Sequence, residues 1–321
     1  AATYADKIAR LQLLSEAKSP AYNAWRIALD EDAKKSSAHA FALGRWMILV
    51  EGPTNTLRWL QALPVAVQTN QPVPLLVTDC QIALKNWNGL LATVLKQDWG
   101  EANFYRLALE SLAQRGLNQA LPAKNAWQKS FRIAASRLDR LARLAQMTST
   151  WSWRAEGVEV LEEIVDKFPK EKWAADQLMA SLYADGNTRA LSDLLVKLHS
   201  ADPTDNRNKN NLASISLLRK SNLENAHKMA KEAFNSDPKN PVFISTYAYS
   251  LLLQNKPDEA VKALDGMKAD YLKDPSIALY FGVVQAQAGH KDVAKEPLKL
   301  AETARLLPEE KEIVRLAKAR M

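Results

Sequence analysis

Small residues recur through the C-terminal half of the chain at a fixed interval. Ala226, Ala260 and Ala294 stand 34 residues apart, and Ser214, Ala248 and Gly282 repeat that interval, each 12 residues ahead of its partner. Upstream, Ala145 with Gly157 and Ala180 with Ser192 keep the separation of 12, with a single slip of the period to 35. Two antiparallel helices approach to about 8–10 Å where the residues at their crossing are small. The ten positions therefore predict five helix hairpins. Four residues after each second small position come Leu161, Val196, Ala230, Leu264 and Leu298, and three further on come Ile164, His199, Ala233, Met267 and Ala301. Spacings of four and three keep to one helical face, which makes these the expected buried stripe.

Turn chemistry agrees with this register. Phe168-Pro169, Asp202-Pro203 and Asp237-Pro238 stop the second helices, since proline lacks the amide that a helix interior needs. Asp185-Gly186-Asn187, Lys220-Ser221-Asn222, Asn255-Lys256-Pro257-Asp258 and Ala288-Gly289-His290 supply the turns inside the hairpins. In the N-terminal half the same patterning predicts helices near residues 4–17, 20–30, 36–50, 54–63, 74–85, 89–96, 101–115 and 123–135. Their spacing is irregular, which favours divergent hairpins over a separate fold. A last helix over 308–321, carrying the charged run Glu309-Glu310-Lys311-Glu312, is expected to cap the array with that run facing solvent.

A helix-turn-helix of 34 residues with small residues at both crossings and an Asp-Pro exit resembles the tetratricopeptide repeat family. The clearest unit is Pro241–Asp274, with Tyr247-Ala248, Leu251, Ala260 and Leu264 at its characteristic places. Thr148 and Gln285 stand where a large apolar residue is expected, and Ala230 where a bulky one is usual. The resemblance implies an all-α, right-handed superhelical solenoid of antiparallel hairpins. Degenerate hairpins would fill 1–137, five repeats 138–307 and a capping helix 308–321.

The resemblance also implies that ligand peptides lie along the first helices, on the concave surface. In this register that surface offers Gln177, Ser181, Asn208, Asn211, Arg219, Ser245 and Tyr249, side chains able to exchange hydrogen bonds with a peptide. Members that capture chaperone tails hold the terminal carboxylate with Lys, Asn and Arg. Asn211, Ile215, Thr246, Ser276 and Tyr280 occupy the corresponding places here, so no chaperone carboxylate clamp is expected, and the partner is another protein or peptide.

Composition bears this out without adding a reaction. Glycine is scarce, at 10 of 321 residues, and helix formers dominate. The net charge of +7 is mildly basic. No apolar run approaches the roughly 18–20 residues of a membrane span, the longest candidate being Trp46–Val50. The chain starts at Ala1 without methionine, which leaves a removed signal or anchor, and the compartment, open. Cys80, the one cysteine, excludes an internal disulfide and reads as a buried thiol. Nine tryptophans all precede residue 174 and read as packing between hairpins.

No Gly-rich phosphate loop, Gly-x-Ser-x-Gly or His-Glu-x-x-His occurs, and His39, His199, His227 and His290 are too dispersed to form a metal pair. No enzyme, cofactor or metal is expected. Carboxylate pairs such as Glu162-Glu163 and Glu309-Glu310 read as solvated helix faces. A second function class rests on Lys129, Arg132, Arg137, Arg140 and Arg143. On one continuous helix they would share about 140° of arc and attract an anionic surface, either membrane or nucleic acid. A break near Ser136 would divide them.

Overall fold

A computed structural model describes residues 3–96 and 98–321. Among these residues there are twenty α-helices and no strand. The chain divides into two compact units, the first ending at Trp153 and the second running from Arg154 to Met321.

The first unit contains α1 (Tyr4–Glu16), α2 (Tyr22–Ala33), α3 (Ser37–Val50), α4 (Gly52–Ala62), α5 (Val65–Gln68), α6 (Val73–Ala83), α7 (Trp87–Leu95), α8 (Asn103–Gly116), α9 (Ala120–Ala134) and α10 (Leu138–Thr150). All eight expected helices are present. The short α5 lies between two expected helices, and a 3-10 turn at Gly100–Ala102 takes the first residues of the helix expected over 101–115, so that α8 starts at Asn103. Leu11, Leu29, Leu43, Leu60, Leu76 and Cys80 form the core of the first hairpins. Cys80 is fully buried, and burial pushes its thiol up to about 11. The tryptophans pack as expected. Trp46 Nε1 donates to Gln12 Oε1 at 2.6 Å, Trp25 Nε1 donates to the Lys7 carbonyl at 3.0 Å, and the Trp87 ring lies against Gly116.

The sequence register starts the regular repeats at Leu138, yet α10 belongs to the first unit. Aromatic contacts lie at this boundary. Trp153 meets Trp127 of α9 edge-on with centroids 5.9 Å apart and lies 4.8 Å from Trp151, while the Arg115 guanidinium of α8 sits 3.8 Å above its ring. These contacts tie the end of α10 to α8 and α9.

The second unit contains α11 (Arg154–Lys167), α12 (Lys172–Ala184), α13 (Thr188–Ala201), α14 (Asn206–Leu218), α15 (Leu223–Ser236), α16 (Pro241–Leu253), α17 (Pro257–Leu264), α18 (Pro275–Gln287), α19 (Lys291–Ala301) and α20 (Pro308–Lys318). Helices α14 with α15, α16 with α17 and α18 with α19 pack as hairpins, and consecutive first helices α14, α16 and α18 adjoin. Asp205, Asn240 and Asp274 cap these first helices, each accepting a backbone N–H with its side chain, which satisfies amides a helix start would leave unpaired.

Of the ten small positions, Ala145, Ser192, Ala226, Ala248, Ala260, Gly282 and Ala294 are buried, and Gly157 and Ser214 are half-buried. At Gly282 the approach is close. A Cβ there would lie 2.8 Å from Leu298 Cγ, so α18 and α19 meet at a distance only glycine allows. Ala180 departs from the expectation and is exposed. In the stripe, Val196 is 50% exposed, whereas Leu161, Ile164, Ala230, Ala233, Leu264, Leu298 and Ala301 are buried. His199 and Met267 are half-buried, and the two exposed positions, Ala180 and Val196, fall in the hairpin of α12 and α13. There Leu191, Leu194 and Leu195 take the inward face instead of Val196.

The terminal helix also departs from its expected place. It packs on α18 and α19, as a cap would, but it also reaches back to α12 and α13. Glu310 is not in solvent. It is 5% exposed and accepts hydrogen bonds from the hydroxyls of Tyr183 on α12 and Tyr280 on α18. Sequence patterning places a charged run outside because charge is costly to bury. Here hydroxyl donors remote in sequence offset that cost.

Candidate functional site

The second unit presents a groove between its first helices. Asp176, Met179, Ala180 and Tyr183 recur at three- and four-residue spacing on α12, and Arg207, Asn211, Ser214 and Ile215 do so on α14. These two faces, with Leu191 and Leu195 of α13 as the floor, enclose a cavity of about 330 Å³. Ala180 and Ser214, both small, leave this space open. The rim is polar, because Arg207 bonds Asp176 at 2.9 Å, and Asn211 adds a further polar lining residue.

Tyr183 lines the cavity and also bonds α20 through Glu310. Glu310 accepts from Tyr183, from Tyr280 at 3.0 Å and from the Leu307 amide at 2.9 Å, while Thr188 Oγ1 donates to Glu309 at 2.7 Å. Burial and the neighbouring Glu310 carboxylate push both phenols well above the ordinary tyrosine range. The rings of Tyr280 and Tyr249 lie 5.6 Å apart, and burial raises the Tyr249 phenol to about 12.

The residues expected on the concave surface divide. Asn211 lines the cavity, and Gln177 is exposed beside it on α12. Ser181 is half-buried, and its carbonyl accepts from Arg154 at 3.1 Å. Asn208 is bound into the α14 cap, its amide donating to Asp205 at 3.3 Å. Arg219 is exposed at the far end of α14. Ser245, bonded to the Pro241 carbonyl at 2.8 Å, and Tyr249 are buried between helices. Ile215, Thr246 and Tyr280, three of the positions compared with the chaperone clamp, are also buried.

Met179, Tyr183 and the α13 leucines were not singled out from sequence. The run 176, 179, 180, 183 carries the helical signal that would have found the α12 face. The link from Tyr183 to Glu310 spans 127 residues and leaves no local trace.

The five cations do not form one stripe. Helix α9 ends at Ala134, and Arg137 is the extended N-cap of α10, so Lys129 and Arg132 lie on a different helix from Arg140 and Arg143. The charges are also engaged locally. Arg137 bonds Asp139 at 3.0 Å, Arg140 pairs with Glu101 and sits 5.7 Å over Phe104, and Arg143 sits 5.0 Å over Tyr105. This arrangement does not support the anionic-surface alternative.

Three of the four histidines are held by other side chains. His39 stacks on Tyr4, His227 meets Ser250 Oγ at 2.8 Å and His290 meets Gln285 at 2.7 Å, while His199 is half-buried. Among the described residues no cluster of three or more His, Cys, Asp and Glu side chains is placed to hold a metal, and no helix is long and apolar enough to cross a membrane.

Helical hairpins stacked around a groove define a helical-repeat protein. Residues 217–280 match the tetratricopeptide repeat family, a span from the end of α14 into α18 that contains the clearest repeat unit. Such folds generally mediate protein–protein interaction. No curated protein matches the chain. Similar solved structures include a tetratricopeptide repeat protein from Parabacteroides merdae, at 12% identity over 78% of this chain and 94% of that one with a TM-score of 0.41. The APC/C Cut9–Hcn1 hetero-tetramer matches at 14% identity over 90% of this chain and 70% of that one, TM-score 0.35. The TPR2AB domain of yeast Sti1 in its pHSP90 complex matches at 13% identity over 82% and 96%, TM-score 0.29.

Proposed function

We propose that the chain is a non-enzymatic scaffold or adaptor that holds a segment of a protein partner along the first helices of its second unit. The observation that carries this reading is the cavity between α12 and α14. Leu191, Leu195 and Ile215 give it an apolar floor, and Asp176, Arg207 and Asn211 give it a hydrogen-bonding rim. A cavity of this kind suits an anchoring apolar side chain whose flanking backbone needs polar partners. Gln177, next to Asp176 on α12, is exposed.

A photoreactive side chain introduced at Gln177 tests the reading. It should cross-link a protein partner in the source cell, and Asn211→Arg, which fills the cavity, should reduce that yield at least ten-fold with unchanged far-UV circular dichroism. An undiminished yield rejects the cavity as the binding site.

A further inference from the structure

Helix α20 meets the rest of the second unit as a bound peptide would. Three helices, α12, α13 and α18, and the turn between the first two receive its first turn. Gly186, in the turn between α12 and α13, adopts φ +64°, and a Cβ at that position would lie 3.3 Å from Pro308 Cδ, so the turn is shaped to seat this proline. Thr188 donates to Glu309, and Tyr183 and Tyr280 donate to Glu310. Behind them Leu307, Val314 and Ala317 are buried.

The donors are what make the interface selective. A carboxylate withdrawn from water needs its lone pairs filled, and all three hydrogen bonds to Glu310 come from neutral groups. Tyrosine hydroxyls fixed on two helices accept no substitute from an apolar side chain, which would leave them unpaired. Tyr183 also lines the α12–α14 cavity, so the seat of α20 and the cavity share this side chain.

We propose that α20 is an internal ligand of this groove, and that the partner segment is an acidic helix start of the same chemistry, an apolar residue and proline followed by paired glutamates, which exchanges with α20. The inference rests on the reading of this face as a partner-binding groove. In the closed state the chain occupies the carboxylate seat itself, and an incoming segment competes with a tethered one at high effective concentration. Binding is therefore weak until α20 is released.

Full-length chains and a labelled synthetic peptide of residues 304–318 test this. In Glu310→Ala the tethered helix loses its anchor, so amide exchange in α20 should accelerate and the peptide should bind at least ten-fold more tightly than to the wild type. The peptide carrying Glu310→Gln should bind neither chain. Tyr183→Phe keeps the ring and removes one donor. It should raise α20 exchange roughly ten-fold, the size expected for a hydrogen bond to a charged group, and it serves if the alanine variant does not fold.

Unchanged α20 exchange in both variants overturns the proposal, as does equal peptide affinity for wild-type and released chains. Binding of the Glu310→Gln peptide as tightly as the native one also overturns it, because the carboxylate would then not be what the groove recognises. Asn211 takes no part in this exchange. Peptide exchange with partner capture insensitive to Asn211→Arg leaves the internal ligand standing and removes the cavity reading; the reverse pair of results does the opposite.

Discussion

Replacing Gly282 with alanine places a methyl group where α18 crosses α19. The added Cβ falls 2.8 Å from Leu298 Cγ and 3.1 Å from the Leu298 amide nitrogen. A rotamer change relieves the first contact, but only a shift of the helix backbone relieves the second. Alanine brings up to about 1 kcal/mol of helix propensity, and overpacking a filled core costs about 1–3 kcal/mol. Leu298 is 0% exposed, so its side chain has nowhere to withdraw. That places the overpacking cost at the upper end of its range, about 2–3 kcal/mol, for a net loss of about 1–2 kcal/mol, which in a unit of this size lowers Tm by roughly 2–8 °C. Gly266→Ala is the control, since a Cβ there meets nothing nearer than 3.9 Å, and it should be neutral or slightly stabilising through the unfolded chain. Thermal unfolding followed by far-UV circular dichroism or calorimetry compares the two. A Tm for Gly282→Ala equal to or above that of the wild type would refute the argument that small residues are required for contact at this crossing.

Two further outcomes follow from burial. Ile164→Ala should cost about 2–5 kcal/mol in urea unfolding, as large-to-small changes in a core do, whereas Val196→Ala, at a 50% exposed site on the same sequence stripe, should stay within about 0.5 kcal/mol; similar costs at both sites would contradict the orientation of α13. Cys80, fully buried with its thiol pushed up to about 11, should react with an aromatic disulfide reagent at neutral pH only as fast as the first unit opens, and prompt labelling of the folded chain would show that the thiol is accessible.

The helices were legible along the chain because their signals are local. Spacings of three and four, Asp and Asn caps, and prolines at the exits each act within a turn or two, so the hairpins of the second unit appear where the pattern places them. The hairpin of α12 and α13 was read less well. Its small residue Ala180 has the right spacing, but spacing does not say whether a helix turns a small side chain to a neighbour or to an open cavity. Ser245 and Tyr249 were read as surface because they belong to a first helix. Their burial comes from how closely α16 packs against its neighbours, which hydropathy along one strand of sequence does not report.

What the sequence determined by itself is therefore the repeat: short-range periodicity and capping suffice to specify a stack of helical hairpins. The place of α20 was decided by the tertiary structure. A Glu-Glu pair at a helix start belongs in water on any local criterion, and only the folding of Tyr183, Thr188 and Tyr280 into one seat makes its burial favourable. That seat exists nowhere in the linear chain, because its donors lie 30 to 127 residues away from the carboxylates they hold.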